Sequence, residues 1–349
     1  MRNITKLIKD YKNSEPKKIN DFLLNFKPVV FEKLKLFSLN IKYSSELFSY
    51  SDLHHEGRFI LNMSKEQGGG LGKFGKNEEL LKSKIESLIY KTFHKKKNIQ
   101  DSYSASVISA RYIIKHFKKC NVLEIGPGTG YLGLLLKKNG FNYSCFEITQ
   151  PHFIYQSFIF KKILGKNAPV PILKNHKKEN LEIKSFHLPW WQAPSLPKYL
   201  NLIKPKIIIM NHCVNEMTRE ALNYLCGAFK SINYKFYIFI EGFGAQNLYS
   251  RESSINIFYL NNFKIFSHQP VHKYNITLSK CKPITLFSNK NITNKISYIH
   301  LKGFFSIFGI RRLFCFLSNF YKIRYNFYKY KFFFLDFLII KNVKYIKKF

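Results

Sequence analysis

The stretch Val122-Leu123-Glu124-Ile125-Gly126-Pro127-Gly128-Thr129-Gly130 decides the fold of this 349-residue chain. Val122 and Leu123 are typical of the end of a short buried strand, and three glycines follow at every second position. Glycine lets the backbone turn sharply and approach a ligand where any Cβ would clash. The stretch therefore predicts a strand that ends in a ligand-binding turn.

The spacing of this turn excludes two common phosphate-binding motifs. A dinucleotide fingerprint needs a third glycine where Tyr131 stands, and a P-loop ends in Gly-Lys-Ser/Thr, whereas this turn ends in Gly130-Tyr131-Leu132. Glu124 would repel a pyrophosphate but could pair with the cationic amino group of a methionine moiety. The turn therefore points to S-adenosylmethionine, with Glu124, Gly126, Gly128 and Gly130 as binding candidates.

The residues after the turn extend this interpretation. Tyr131 to Lys138 predicts a helix that stops at Asn139-Gly140, and residues 141–148 predict a second strand. Glu147 lies 23 positions after Glu124, the distance at which an α/β nucleotide-binding unit offers a carboxylate to ribose hydroxyls. Glu147 is the predicted ribose ligand, and Tyr131, which directly follows the turn, is a further cofactor-binding candidate.

Composition limits the class of protein. The chain carries 57 Lys and Arg against 21 Asp and Glu, a formal charge of +36, and 46% hydrophobic residues. Such apolar content excludes general disorder, and no stretch has the eighteen or so uncharged residues of a membrane span. The polar start predicts no secretory signal and hence a cytoplasmic protein. The charge is open to two explanations, a polyanionic partner or an AT-rich codon bias.

Three regions differ along the chain. Residues 1–105 predict a mainly helical region, with a helix around Asn77 to Tyr90 and a glycine-rich loop at Gln67 to Gly75 that is either a linker or a place of substrate contact. Residues 106–285 alternate strands and helices, and they predict a doubly wound, mostly parallel sheet of seven strands. Residues 286–349 form a basic aromatic extension with a single acid, Asp336, which could dock on the core, meet a membrane surface or bind a polyanion.

Two further predicted strands end in polar residues. Lys206 to Met210 is followed by Asn211-His212, and residues 234–240 are followed by Glu241. Ligands of doubly wound sheets bind at the carboxyl ends of strands, so these endings are expected to share the crevice of the glycine turn. His212 is the candidate base for an acceptor hydroxyl, Glu216 is its alternative or orienting partner, and Asn211 is a cofactor-binding candidate.

Other features of the sequence leave more than one interpretation. Trp190 and Trp191 could stack on a sugar or the adenine, or could belong to the core. His212 could instead pack against the adenine, because methyl transfer can depend mainly on proximity. No His, Cys, Asp or Glu pattern has metal-ligand spacing, so metal independence is expected.

Together these motifs resemble the class I S-adenosylmethionine-dependent methyltransferases and, more narrowly, a family of sugar O-methyltransferases associated with bacterial surface-polysaccharide biosynthesis. The resemblance covers about residues 50–285 and rests on four segments: 68–72, 109–112, 122–130 and 211–217. It implies that the glycine turn lines the methionine moiety, Glu147 the ribose, and His212 and Glu216 the acceptor. The basic extension has no counterpart in it.

The leading hypothesis is a methyltransferase that acts on a sugar hydroxyl of a nucleotide-activated or lipid-linked glycan precursor. An RNA methyltransferase is the alternative favoured by the charge, although the fourth strand lacks the Asn/Asp-Pro-Pro-Tyr ending expected for exocyclic amine methylation. A third hypothesis is a cofactor-binding or membrane-associated scaffold without turnover. On the leading hypothesis the extension would add a peripheral contact with the inner membrane face.

Overall fold

The computed structural model describes residues 2–18, 23, 26, 40–51, 74–174, 185–211, 213–214, 217–241, 257–258, 260–270 and 283–288. Within these ranges a single sheet of eight strands runs through the molecule, in the order β3-β4-β2-β1-β5-β6-β8-β7. The strands are β1 (Asn121–Ile125), β2 (Asn142–Glu147), β3 (Val170–Pro171), β4 (Phe186–Pro189), β5 (Ile207–Ile209), β6 (Tyr237–Glu241), β7 (Lys264–Pro270) and β8 (Pro283–Ser288).

Six of these strands, β1 to β6, pair in parallel, and only the β7–β8 hairpin is antiparallel to its neighbours. The chain moves outward from β1 through β2 to β4, and then returns to the other side of β1 with β5 and β6. The strand order therefore reverses between β1 and β5, which is the place where doubly wound sheets open a ligand-binding crevice.

Seven α-helices whose bounds fall within the described residues accompany the sheet. They are α1 (Arg2–Ser14), α2 (Lys76–Phe93), α3 (Gln100–His116), α4 (Tyr131–Lys138), α5 (Gln150–Leu164), α6 (Leu196–Ile203) and α7 (Arg219–Lys230). Local sequence explains their ends: α4 stops at Asn139, which Gly140 follows with φ +85°, and the Thr218 hydroxyl caps α7 by accepting from the Ala221 N–H at 3.0 Å.

The sheet separates two hydrophobic clusters. Val122 packs on one face, in a cluster that holds the apolar residues of α1 to α5, while Leu123 and Ile125 pack on the other face against α6 and α7. This alternation follows from the two-residue period of a strand, and burial on both faces is what a parallel sheet requires. Helices α1 to α3 thus complete one face of the sheet, while Phe26 of the N-terminal region packs on the other face.

The predicted fold class, a doubly wound and mostly parallel Rossmann-like sheet, is confirmed. The described sheet has eight strands rather than seven because the two-residue strand β3 adds an edge beside β4. The helix expected around Asn77 to Tyr90 is α2. β8 crosses the predicted boundary at residue 285, and the glycine-rich loop at 68–72 and the extension beyond residue 288 lie outside the described residues.

None of the helices in the described ranges combines the length and apolar character needed to cross a bilayer.

Candidate functional site

The glycine turn links β1 to α4 at the reversal point of the sheet. Gly126, Gly128 and Gly130 have φ values of +65°, +58° and +74°, a region that side-chain-bearing residues rarely adopt. The Gly126 N–H donates to the Phe146 carbonyl at 2.9 Å, which ties the turn to β2. The turn therefore needs glycine for its backbone conformation, as the sequence predicted.

Protein atoms lie directly behind the turn. A Cβ on Gly126 would lie 2.7 Å from the Cβ of Cys213, and a Cβ on Gly130 would lie 3.0 Å from Gln156 Cγ and Phe160 Cζ. In this structure the turn is thus in close contact with two parts of the chain: the segment after β5 and helix α5. Contact between the turn and a cofactor stays a prediction.

Glu124 lies on the face of β1 that α4 covers, and only 2% of it is exposed. Its carboxyl accepts a hydrogen bond from the Tyr143 hydroxyl at 2.5 Å. The pKa of Glu124 is raised to about 8, chiefly by burial; the bond from Tyr143 opposes this rise, and the charge of Glu147 adds to it. In the folded protein without ligand, this carboxyl is therefore largely protonated at neutral pH. A nearby cation would favour its ionised form.

Glu147 ends β2 and is equally buried. Its Oε1 accepts from the backbone N–H of Thr149 at 2.8 Å and from the Thr149 hydroxyl at 3.1 Å, and its Oε2 accepts from Gln156 Nε2 at 2.8 Å. Burial raises the pKa of Glu147 to about 7, and these donors limit the rise because they stabilise the carboxylate. The backbone N–H of Ile148 also stabilises the carboxylate, and Gln156 is the one side chain that donates to Oε2 in the described structure.

Gln156 of α5 connects the turn to this carboxylate. The same Nε2 that donates to Glu147 also donates to the Gly128 carbonyl at 2.6 Å. Sequence reasoning missed Gln156, and the only signal for it is its place in the helix that begins three residues after Glu147. Its buried Oε1 has no hydrogen-bond partner within the described structure.

The remaining predicted residues divide into two groups. The side chain of Tyr131 is fully buried in the core, where its hydroxyl lies 2.8 Å from the hydroxyl of Tyr155. Asn211 follows β5, and its Nδ2 donates to Ser109 Oγ at 3.1 Å. This bond connects segments 109–112 and 211–217, two of the four on which the resemblance rests. Roles for Tyr131 and Asn211 in cofactor binding stay predictions. The predicted catalytic residues His212 and Glu216 lie outside the described residues.

The tryptophan pair after β4 holds the N-terminal helix. Trp190 is buried, and its indole N–H donates to Glu15 Oε1 at 3.1 Å, while the Trp191 indole N–H donates to the Leu173 carbonyl at 3.2 Å. The ring of Tyr11 meets the edge of Trp191 with ring centroids 4.7 Å apart. Of the two roles considered for the tryptophans, ligand stacking and core packing, these contacts belong to core packing.

The chemistry around the turn fits the predicted S-adenosylmethionine. The glycines provide backbone at the reversal point, Glu124 and Glu147 provide acidic groups that a cation or a ribose hydroxyl could engage, and the orphaned Gln156 Oε1 provides an acceptor. Within the described ranges, no three His, Cys, Asp or Glu side chains are grouped as a metal site would require. Metal independence stays a prediction.

No protein-family model matches the sequence, and no curated protein matches it. Solved structures show similarity at low sequence identity. Magnesium protoporphyrin IX methyltransferase from Synechocystis PCC 6803, with bound SAM, is 10% identical over 63% of this chain and 100% of its own, with a TM-score of 0.37.

Two other similar structures have comparable scores. TehB from Haemophilus influenzae is 13% identical over 59% of this chain and 67% of its own, with a TM-score of 0.34. The glycopeptide N-methyltransferase MtfA, complexed with S-adenosyl-L-homocysteine, is 10% identical over 52% of this chain and 84% of its own, also with a TM-score of 0.34.

Proposed function

We propose that this chain is an S-adenosylmethionine-dependent O-methyltransferase whose acceptor is a sugar hydroxyl of a surface-glycan precursor. The observation that carries the cofactor part is the joining of the glycine turn to Glu147 through Gln156 at the reversal point of a parallel sheet. The sugar acceptor rests on the sequence resemblance. The basic charge suits an acceptor that carries phosphate, such as a nucleotide sugar or a lipid-linked oligosaccharide.

Each of the candidate residues has a separate role in the proposed reaction. Glu124 and the turn would hold the methionine moiety, and Glu147 would accept from a ribose hydroxyl. When bound, the cofactor would supply an electrophilic methyl group to the acceptor oxygen, with S-adenosylhomocysteine as the leaving group. His212, with Glu216 as its alternative, would take the proton of the acceptor hydroxyl.

Cofactor binding is the first test. The full chain is titrated with S-adenosylmethionine and S-adenosylhomocysteine by calorimetry, beside Gly128→Arg and the control Gly227→Ala. Gly128 has φ +58° within the turn, whereas a Cβ on Gly227 meets nothing within 4 Å in α7. We expect wild type and Gly227→Ala to bind and Gly128→Arg to lose binding. Absence of binding by wild type would overturn the proposed function, and binding by Gly128→Arg would overturn the site.

The acceptor is tested with methyl-labelled cofactor. Nucleotide sugars, lipid-linked oligosaccharides, RNA and protein are offered in parallel, and label is expected only in the two sugar classes. Transfer to RNA alone, with binding that weakens steeply as salt rises, would establish the alternative function. Loss of transfer in His212→Ala, with an unchanged dissociation constant for S-adenosylhomocysteine, is the outcome expected of a base.

A further inference from the structure

The N-terminal helix α1 packs against α5 and contacts the tryptophan pair that follows β4. Its apolar residues Ile4, Ile8 and Tyr11 are buried in the same cluster as α5. The ring of Tyr11 packs on Phe153 of α5, with centroids 5.2 Å apart, and on the Trp191 ring that follows β4. Because these tryptophans directly follow Pro189, which pairs with Glu147, the helix lies near the carboxyl end of β2.

The hydroxyl of Tyr11 is buried without a hydrogen-bond partner in the described structure. Tyr11 is fully buried, and within the described structure its hydroxyl makes no hydrogen bond of normal geometry. The Trp190 N–H lies near this hydroxyl but donates to Glu15, and an indole offers no acceptor for the tyrosine proton. A buried hydroxyl without a partner costs folding free energy, so it calls for an explanation.

The charges around this hydroxyl limit what could satisfy it. Burial raises the pKa of Tyr11 well above its ordinary value, and the negative charges of Glu15 and Glu147 raise it further. The hydroxyl therefore stays protonated and acts as a donor in a negative environment. An anionic group would be repelled there, whereas a neutral hydroxyl could accept from Tyr11 and donate to the Glu147 carboxylate.

We propose that Tyr11 is a cofactor-binding residue whose hydroxyl donates to a ribose hydroxyl that in turn donates to the Glu147 carboxylate. This inference rests on the proposed function and adds to it a contact from the N-terminal region. Neither the glycine turn nor the strand endings assign that region to the cofactor. Gln156, which donates to the same carboxylate, would hold Glu147 in place for this contact.

The test compares two conservative variants of buried tyrosines. Tyr11→Phe removes only the orphaned hydroxyl. Tyr103→Phe, the control, removes a hydroxyl that donates to the Glu78 carbonyl at 2.7 Å, at the start of α2. For each protein, the melting temperature without ligand and the dissociation constant for S-adenosylhomocysteine are measured. The 2′-deoxy and 3′-deoxy analogues of this ligand are titrated in parallel.

The two variants are expected to change in opposite directions. Tyr11→Phe should melt at the wild-type temperature or higher, because it loses an unsatisfied group, and should bind S-adenosylhomocysteine about 5- to 30-fold more weakly. Tyr103→Phe should melt at a lower temperature and bind as wild type does. Against one of the two deoxy analogues, the loss caused by Tyr11→Phe should disappear.

Three results would overturn the inference. Equal affinity of Tyr11→Phe and wild type would mean that the hydroxyl meets only a buried water or nothing. A loss that persists against both deoxy analogues would place the contact away from the ribose. Absence of binding by wild type would remove the proposed function together with this inference, whereas the first two results leave the proposed function standing.

Discussion

Gly133→Ala is predicted to destabilise the protein through the tyrosine that contacts Glu124. Gly133 lies in α4, and a Cβ there would be 2.4 Å from the Cε1 and Cζ atoms of Tyr143. Normal contacts between carbon atoms are about 3.5 to 4.0 Å, so the fully buried ring would have to move by roughly 1 Å. Such a shift would pull the Tyr143 hydroxyl away from the Glu124 carboxyl.

The magnitude follows from three effects. Overpacking of a dense core costs about 1 to 3 kcal/mol, and loss of the partner of a buried polar group costs about 1 to 3 kcal/mol. Alanine gains back about 1 kcal/mol over glycine in a helix. Gly133→Ala should therefore lower the free energy of unfolding by about 1 to 5 kcal/mol, although the same exchange favours an isolated helix.

Urea unfolding at pH 7 measures this effect against two matched variants. Gly227→Ala makes the same exchange in α7, where the Cβ meets nothing within 4 Å, and should raise the free energy of unfolding by up to about 1 kcal/mol. Tyr143→Phe removes only the hydroxyl and isolates the contribution of its bond to Glu124. If Gly133→Ala proved as stable as Gly227→Ala, the packing of α4 on Tyr143 described above would be wrong.

Two predictions concern the pH dependence of stability. The pKa values of Glu124 and Glu147 in the folded chain, about 8 and about 7, lie above the ordinary 4.5, so the folded state binds more protons and stability falls as pH rises from 4.5 towards 8. Glu124→Gln should flatten this fall by about 1.4 kcal/mol per pH unit in urea titrations between pH 5 and 8, and an unchanged slope would contradict the raised pKa. His187 is the opposite case, because burial lowers its pKa from 6.5 to about 3 and stability is lost as pH falls below 6.5. His187→Gln removes this contribution, so the change in its stability from pH 7 to pH 4 should be more favourable than that of wild type, and an equal change would show that His187 is not buried in its neutral form.

Local patterns in the sequence were sufficient to predict the central elements of the fold. Three features depend on residues that are close together in the chain: the glycine turn, the end of α4 at Asn139 and the buried strand β5. Each of them could therefore be predicted from local sequence. The reversal of strand order beside β1 then follows from general rules for parallel sheets. For this reason the position of the site at the strand ends was predictable.

Contacts between distant segments could not be predicted in the same way. Gln156 reaches Gly128 across 28 positions, and Trp190 reaches Glu15 across 175. Nothing local in α1 indicates that Tyr11 will be buried near Glu147, because the helix carries lysines and reads as a solvated amphipathic segment. The two-residue strand β3 was missed for a related reason, since its pairing with β4 and not its own pattern makes it a strand.

The hydrogen bonds of the two acids fit the different roles proposed for them. Glu147 accepts from two groups of Thr149 and from Gln156, so its orientation is fixed and its ionised form is already supported, as an acceptor for a neutral hydroxyl requires. Glu124 has one hydroxyl donor, and its pKa is the higher of the two. An amide could keep the bond from Tyr143 without the cost of a buried carboxyl, so packing alone does not account for an acid at position 124. The proposed cationic ligand would account for it, because a positive charge beside Glu124 would stabilise the ionised form that burial now opposes.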